Sequence, residues 1–239
     1  MGRVLVRVVV GLLLVGVLLV VLDRAAALLV GRAVAAELQK SQRLASTPGV
    51  TVPGIPFLTQ VVTGRYDVVE ITMVDVPVAA GVAVDRLDAT LYGVHAPARQ
   101  AMTGELTTLP VERAEASGHV SFAALQTAVN ASLSDRGVTV TLGRAGPDRV
   151  AVTGRVTTLI GRFTVRGQAR VVVSKGRIAV SVAPESLSGI PNTIRDAVRR
   201  QLDMSVLAPE LPFGLAIRSV AVDASGLQLT ATGSNVVIA

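Results

Sequence analysis

The sequence predicts an α+β fold: an antiparallel sheet with one apolar face, amphipathic helices to cover it, and an apolar helix ahead of both. Three observations carry this. An uninterrupted apolar run opens the chain, from Val8 to Leu22. The hydrophobic period changes from about 3.6 to about 2 after Gly64. Turn signals such as Gly146-Pro147-Asp148, Ser174-Lys175-Gly176 and Asp223-Ala224-Ser225-Gly226 then separate segments of strand length.

The first seven residues bring two cations, Arg3 and Arg7, and no acid. The run from Val8 to Leu22 is 15 residues long, or 19 from Val4 if Arg7 snorkels to an interface. Asp23-Arg24 closes it. A cationic start before such a segment reads as a signal anchor or a signal peptide, with the positive charge on the side that stays inside. Ala25-Ala26-Ala27 offers small residues for cleavage, so residues 1–27 are a retained anchor or a removed leader. A buried core helix would hide Arg7 among Val and Leu. The remainder, residues 28–239, reads as one exported α+β domain. From Leu28 to Ala45 the pattern is helical, with Val30, Val34, Leu38 and Ala45 near one stripe, until Thr47-Pro48-Gly49 breaks it.

Pro53, Gly54 and Pro56 forbid a helix or a regular ladder in the next stretch. Phe57, Leu58, Val61 and Val62 suit a short helical turn with one greasy face, ended by Gly64. Phe57 is one of four Phe in a chain without Trp. It reads either as a core plug that staples helix to sheet or as the lip of an apolar cavity.

Strands follow. In Asp67–Val76, Val69, Ile71 and Met73 alternate with Glu70 and Thr72. In Val82–Val94, Ala83, Leu87, Ala89 and Leu91 share one face, and Arg86, Asp88, Thr90 and Tyr92 the other. Leu109–Val120 is a third strand. Ser121 is a candidate N-cap for a helix carrying Phe122, Leu125, Val129 and Leu133, with Gly137 just past its end. Val138–Leu142, Arg149–Thr158, Gly161–Ser174 and Arg177–Ala183 read as a meander. In its third strand Phe163, Val165, Ala169 and Val171 face one way, and Arg162, Thr164, Arg166, Gln168 and Arg170 the other. The three arginines span about 26 Å at ~3.3 Å per residue. They make either a solvated sheet face or a patch for an anionic surface. Pro191-Asn192 opens another helix, with Ile194, Val198 and Leu202 in register. A second Pro-Phe turn, Leu211-Pro212-Phe213-Gly214, leads into a final hairpin, Leu215–Val222 and Leu227–Ile238.

Half of the residues are hydrophobic and 17% are charged, which supplies a core and excludes disorder as the main state. There is no cysteine, hence no disulfide, thiolate site or Cys nucleophile. The net charge of +6 invites a nucleic-acid reading, but 3% aromatic content leaves few stacking platforms, and the apolar leader speaks against it. His95 and His119 stand in no metal-ligand spacing, and nothing in the chain calls for a cofactor. No Gly-x-Ser-x-Gly elbow, phosphate loop or dinucleotide fingerprint occurs. Glu112 and Glu115 lie three apart on a strand, on opposite faces. Asn130-Ala131-Ser132 matches a glycosylation sequon but falls inside a predicted helix.

The N-terminal segment with its following helix, the Gly54-x-Pro56-Phe57-Leu58 run up to Gly64, the late Leu211-Pro212-Phe213-Gly214, and the last hairpin with Gly226-Leu227 and Thr230-Ala231-Thr232-Gly233 together resemble the LmeA-like phospholipid-binding proteins of actinobacterial cell envelopes. The likeness spans roughly residues 25–239. It implies a fold similar to the tubular (TULIP-like) lipid-binding domains, a highly curved antiparallel sheet wrapped around a long helix. It implies an exported, non-catalytic protein on the extracytoplasmic, periplasmic face of the membrane, anchored or released. Such a protein holds phospholipid acyl chains in an apolar cavity, and for one branch of the family a role in envelope lipid or lipoglycan assembly has been proposed. No catalytic residue is carried over.

On that reading the acyl-chain candidates are Pro56, Phe57, Leu58 and Val61 at the first Pro-Phe turn, Phe163 in the meander, and Phe213 and Leu215 at the second. The headgroup candidates are Arg162, Arg166 and Arg170. The partners are phospholipid and the membrane, not nucleic acid. Small residues on the greasy faces, Ala83, Ala89, Gly167 and Ala169, leave room there. The competing readings are a structural adaptor that docks a membrane enzyme, and an enzyme with a polar cluster around His95 or His119.

Overall fold

The structure is a computed structural model that describes residues 2–41, 44–77, 82–97, 109–134, 137–158, 161–174, 177–182 and 215–238. The helix expected after Pro191 and the second Pro-Phe turn, with Phe213, lie outside these residues.

Helix α1 runs unbroken from Gly2 to Ser41, so the apolar run and the amphipathic stretch behind it are one element. Its two halves have different surroundings. The described Val and Leu side chains from Val4 to Leu22 are 47–67% exposed, which rules that half out as core. Among the described residues α1 is the one helix long and apolar enough to cross a membrane, and it stands near the N-terminus, as a signal sequence or an anchor does. From Asp23 onward one stripe turns inward, Asp23, Ala27, Gly31 and Ala35. These positions are four apart, a single helical face. The expected stripe of Val30, Val34 and Leu38 is its half-buried flank, and Ala45 is exposed. Small residues centre the stripe because a backbone comes close. A Cβ on Gly31 would stand 2.7 Å from the carbonyl oxygen of Val50, in strand β1 (Gly49–Thr51).

Helix α2 (Phe57–Thr63) ends at Gly64, whose left-handed φ of 67° lets its N–H reach back to Gln60 and Val61 carbonyls. The long strands β2 (Arg65–Pro77), β3 (Ala83–His95) and β4 (Leu109–Ser121) follow. Then come helix α3 (Phe122–Leu133), the meander β5 (Val138–Arg144), β6 (Arg149–Thr158), β7 (Gly161–Ser174) and β8 (Arg177–Val182), and the hairpin β9 (Ala216–Val222) and β10 (Gly226–Ile238).

The strands form two sheets, one of six in the order β1-β2-β3-β4-β10-β9 and one of four in the order β5-β6-β7-β8. The pairings of β1 with β2, of β9 with β10 and throughout the meander are antiparallel. This corrects the single highly curved sheet wrapped around a long helix. There are two sheets, neither strongly curled. Half of α1 is bare, and the rest packs on β1 and α2 through its Ala-Gly-Ala stripe.

Two compact units result. The first takes residues 1–72, 90–114 and 234–239; the second takes 73–89 and 115–233. In the second, Phe122 of α3, Val150, Val171, Val222 and Leu227 make the core, with Leu125, Leu142 and Val152 against it. Ser121 caps α3 as its sequence position predicts, its side chain accepting from Ala124 N–H at 3.2 Å. The alternation read for β7 holds: Arg162, Thr164, Arg166, Gln168 and Arg170 are exposed, and Ala169 and Val171 are buried. The free edge of β5 is closed by α3 side chains. Asn130 accepts from Val140 N–H at 2.7 Å and donates to its carbonyl at 3.1 Å, and Gln126 accepts from Leu142 N–H at 2.8 Å. An edge satisfied in this way is no template for another strand, and the Asn130 amide is committed to it.

Candidate functional site

The Pro-Phe stretch has a local problem that the rest of the first unit solves. A helix leaves its first N–H groups without partners, and a side-chain oxygen at the N-cap normally accepts one. The N-cap of α2 is Pro56, which has none to offer. Asp23 supplies the acceptor from α1, taking the Leu58 N–H at 2.8 Å across 35 positions of sequence. Arg24 completes a clamp. It pairs with Asp23 at 2.7 Å and donates to the carbonyls of Gly54 at 2.6 Å and Pro53 at 3.3 Å. The pair that closes the apolar run in the sequence is thus turned toward α2. Asp23 is buried, and Arg24 is half covered.

Two apolar faces emerge on α2 where one was expected. Phe57 points inward and is 0% exposed, with half-buried Val61 beside it in register. Its ring lies 6.1 Å from that of Tyr66, tilted by 41°. Gln60 is also inward, held by the Pro56 carbonyl and by Asp67 N–H, which donates to it at 3.1 Å. Leu58 and Val62 point outward at 48% and 84% exposed, next to Ile55 at 66%. Helical geometry explains the split, since neighbouring residues are 100° apart and cannot share one narrow face.

Tyr66 is 4% exposed, and its hydroxyl is the one buried side-chain polar atom among the described residues without a hydrogen-bond partner. Burial pushes the phenol's pKa up, so it stays a neutral O–H donor. A buried donor without a partner is a group that a ligand oxygen would satisfy.

In the second unit, β6 and β7 gather arginines on one exposed face. Arg149 stands opposite Arg170, Thr153 opposite Arg166, Arg155 opposite Thr164, and Thr157 opposite Arg162. Asp148 pairs with Arg170 at 3.1 Å and with Arg149 at 3.7 Å. These pairs are half exposed and contribute about 0–1 kcal/mol each. Their effect is on the field of the face, which stays positive.

A polar cluster joins the start of β3, the end of β4 and the β9–β10 turn. His119 Nε2 is 3.0 Å from Ser225 Oγ, and its Nδ1 is 3.5 Å from Asp85. This is the order of a Ser-His-Asp triad. Asp223 removes its chemistry. Its carboxylate accepts from the Ser225 N–H at 2.7 Å, the Ser225 hydroxyl at 2.8 Å and the Gly226 N–H at 2.8 Å. The donors that would stabilise an oxyanion are consumed, and a negative charge occupies their focus. Those bonds to Ser225 and Gly226, with His119 beside them, hold the Asp223 carboxyl down at about 2. The cluster locks a turn. Asp85 also accepts from the Ser121 hydroxyl at 3.0 Å and from its N–H. His95 Nδ1 is 3.0 Å from the Gly93 carbonyl oxygen. Among the described residues no group of three His, Asp or Glu side chains is placed to hold a metal ion.

Of the residues expected to contact acyl chains, the structure gathers Pro56, Phe57, Leu58 and Val61 around α2. Pro56 and Leu58 are exposed, and Phe57 is enclosed. Leu215 is half buried just before β9. Phe163 takes its place in β7 opposite Val156, and Phe213 lies outside the described residues. Arg162, Arg166 and Arg170 share the positive face. Sequence reasoning missed Asp23, Arg24 and Tyr66. A signal for the first two was present: a proline at the head of a short helix, and an acid-base pair ending an apolar run.

A family model described as LmeA-like phospholipid-binding matches residues 21–232. Comparison with the curated proteins gives no match, and comparison with the solved structures gives none.

Proposed function

Because the chain belongs to the LmeA-like phospholipid-binding family, we propose that it is an exported, non-catalytic protein that holds a phospholipid's acyl chains in its apolar interior. The observation that carries the proposal is the orphaned, buried hydroxyl of Tyr66, whose ring lies by that of Phe57 in the unit that bears the apolar helix. An ester or phosphate oxygen of a bound lipid accepts that proton, and the surrounding apolar side chains take the chains. The cationic N-terminus stays inside, so the body lies on the extracytoplasmic face. The positive face of β6 and β7 draws in anionic headgroups or the surface that carries them. The spent donors around Ser225 support binding over hydrolysis.

The test is native mass spectrometry and lipid extraction on the full chain, purified from membranes in mild detergent. The full chain is needed because a start at residue 28 removes the Asp23–Arg24 clamp on α2. Stoichiometric phospholipid supports the proposal. A folded, lipid-free protein that takes up no phospholipid from vesicles overturns it in favour of an envelope adaptor.

A further inference from the structure

From the clamp between α1 and α2 we infer that α2 is a membrane-interface foot: Ile55, Leu58 and Val62 insert into the lipid surface that α1 crosses. The inference rests on reading α1 as a retained anchor, and goes beyond lipid binding by assigning a second, external lipid contact.

Position comes first. Asp23 and Arg24 directly follow the exposed apolar run and bind the Leu58 N–H and the Pro53 and Gly54 carbonyls. The helix rises ~1.5 Å per residue, so α2 is held at the level where the run meets its first charges. Those charges are spent on α2. The outward side of α1 therefore stays apolar past them, with Leu28 and Leu29 exposed. From Val8 to Leu29 this side is about 33 Å long, which matches a hydrocarbon core of ~30 Å better than the run to Leu22 does. Asp23, and α2 with it, then lies about 9 Å below Leu29 along α1, the ~5–10 Å to which interfacial amphipathic helices bury an apolar face.

Chemistry comes second. No charged residue occurs from Val52 to Gly64. The polar side chains of α2 are satisfied within the protein, so lipid does not strip them of water. Thr59 donates to the Pro56 carbonyl at 2.8 Å, Thr63 donates to the Thr59 and Gln60 carbonyls at 3.0 and 3.1 Å, and Gln60 is buried. Lipid penalises unsatisfied polar groups, and these are satisfied. Ile55, Leu58 and Val62 are large, aliphatic and exposed, and Val62 at 84% is the barest of them.

The natural chain has no cysteine, so Val62→Cys and Leu58→Cys each give one labelling site. The labelled full-length protein, carrying an environment-sensitive fluorophore, goes into phosphatidylcholine–phosphatidylglycerol vesicles that contain nitroxide lipids. The expected result is blue-shifted emission from both sites, quenched more by a nitroxide near the headgroup than by one deep in the chain. Val15→Cys, in the middle of the run, should show the opposite preference. Water-like, unquenched emission at Val62 overturns the inference, whatever Val15 shows. Blue-shifted emission without quenching also overturns it, because it means that protein covers the face. Phospholipid retained after extraction is measured on the same samples. Quenching that persists in a Tyr66→Phe background with lost retention separates the foot from the internal site.

Discussion

Replacing Tyr66 with Phe removes one oxygen and leaves the ring against Phe57. The hydroxyl is 4% exposed as part of its residue and has no partner among the described residues. A buried polar group left unsatisfied costs about 1–3 kcal/mol. In the lipid-free protein Tyr66→Phe should therefore stabilise folding by about that amount, against the usual sign for a core substitution. In the lipid-loaded protein the hydroxyl has an acceptor, so the penalty is already relieved and the substitution brings no such gain. The difference appears in binding. Phospholipid affinity should fall by about 1–3 kcal/mol, roughly 5- to 150-fold. Denaturant unfolding of delipidated full-length protein in detergent reads the first quantity. Transfer of a fluorescent phospholipid from vesicles reads the second. A Tyr66→Phe protein that is less stable than the natural one when lipid-free refutes the reasoning, because the hydroxyl must then have a partner. Raised stability with unchanged lipid affinity removes Tyr66 from the lipid's contacts.

Phe57 and Leu58 are adjacent but should behave unlike each other. Phe57→Ala empties a fully enclosed site and should cost about 3–5 kcal/mol, while Leu58→Ala, half exposed, should stay within about 0.5 kcal/mol; equal losses would mean that the inward and outward faces of α2 are misassigned. Gly226→Ala places a Cβ on the backbone carbonyl oxygen of Val120 and 2.7 Å from the Ser121 Cα. Neither group can rotate away, so a loss of about 1–3 kcal/mol or more is expected in thermal unfolding, and a neutral result would contradict the close crossing. Asp223 titrates at about 2 in the folded chain against an ordinary 3.8. A lowered carboxyl stabilises the fold above its unfolded value and loses that contribution as pH falls through the folded value. The natural protein should therefore weaken between about pH 4 and pH 2, and Asp223→Asn should be weaker at neutral pH with a flatter acid limb; identical acid profiles would remove Asp223 from the turn's stability.

Much of this architecture was legible because its causes are local. Ser121 as an N-cap, Gly64 as the stop of α2 and the arginine face of β7 each follow from one residue's chemistry or from the period of a strand. The two-faced α2 was not legible. Phe57, Leu58, Val61 and Val62 make the same pattern whether the outer pair is covered or bare, and only their surroundings tell the two apart. The single curved sheet followed from a likeness in scattered motifs, none of which encodes strand pairing, and the pairing yields two sheets.

By itself the sequence determined the apolar N-terminal helix, the change to alternating strands, the cationic start, the absence of cysteine chemistry, and the likeness to phospholipid-binding proteins. These depend on composition and on periods of two to four residues, which short windows contain in full. Tertiary structure alone decided that Asp23 caps a helix 35 residues away, that Tyr66 hides an unpartnered hydroxyl, and that Asp223 consumes the donors beside His119. Each is a relation between residues brought together by loop closure and packing, and a hydrogen bond across such a gap leaves no period in the chain for a sequence to show.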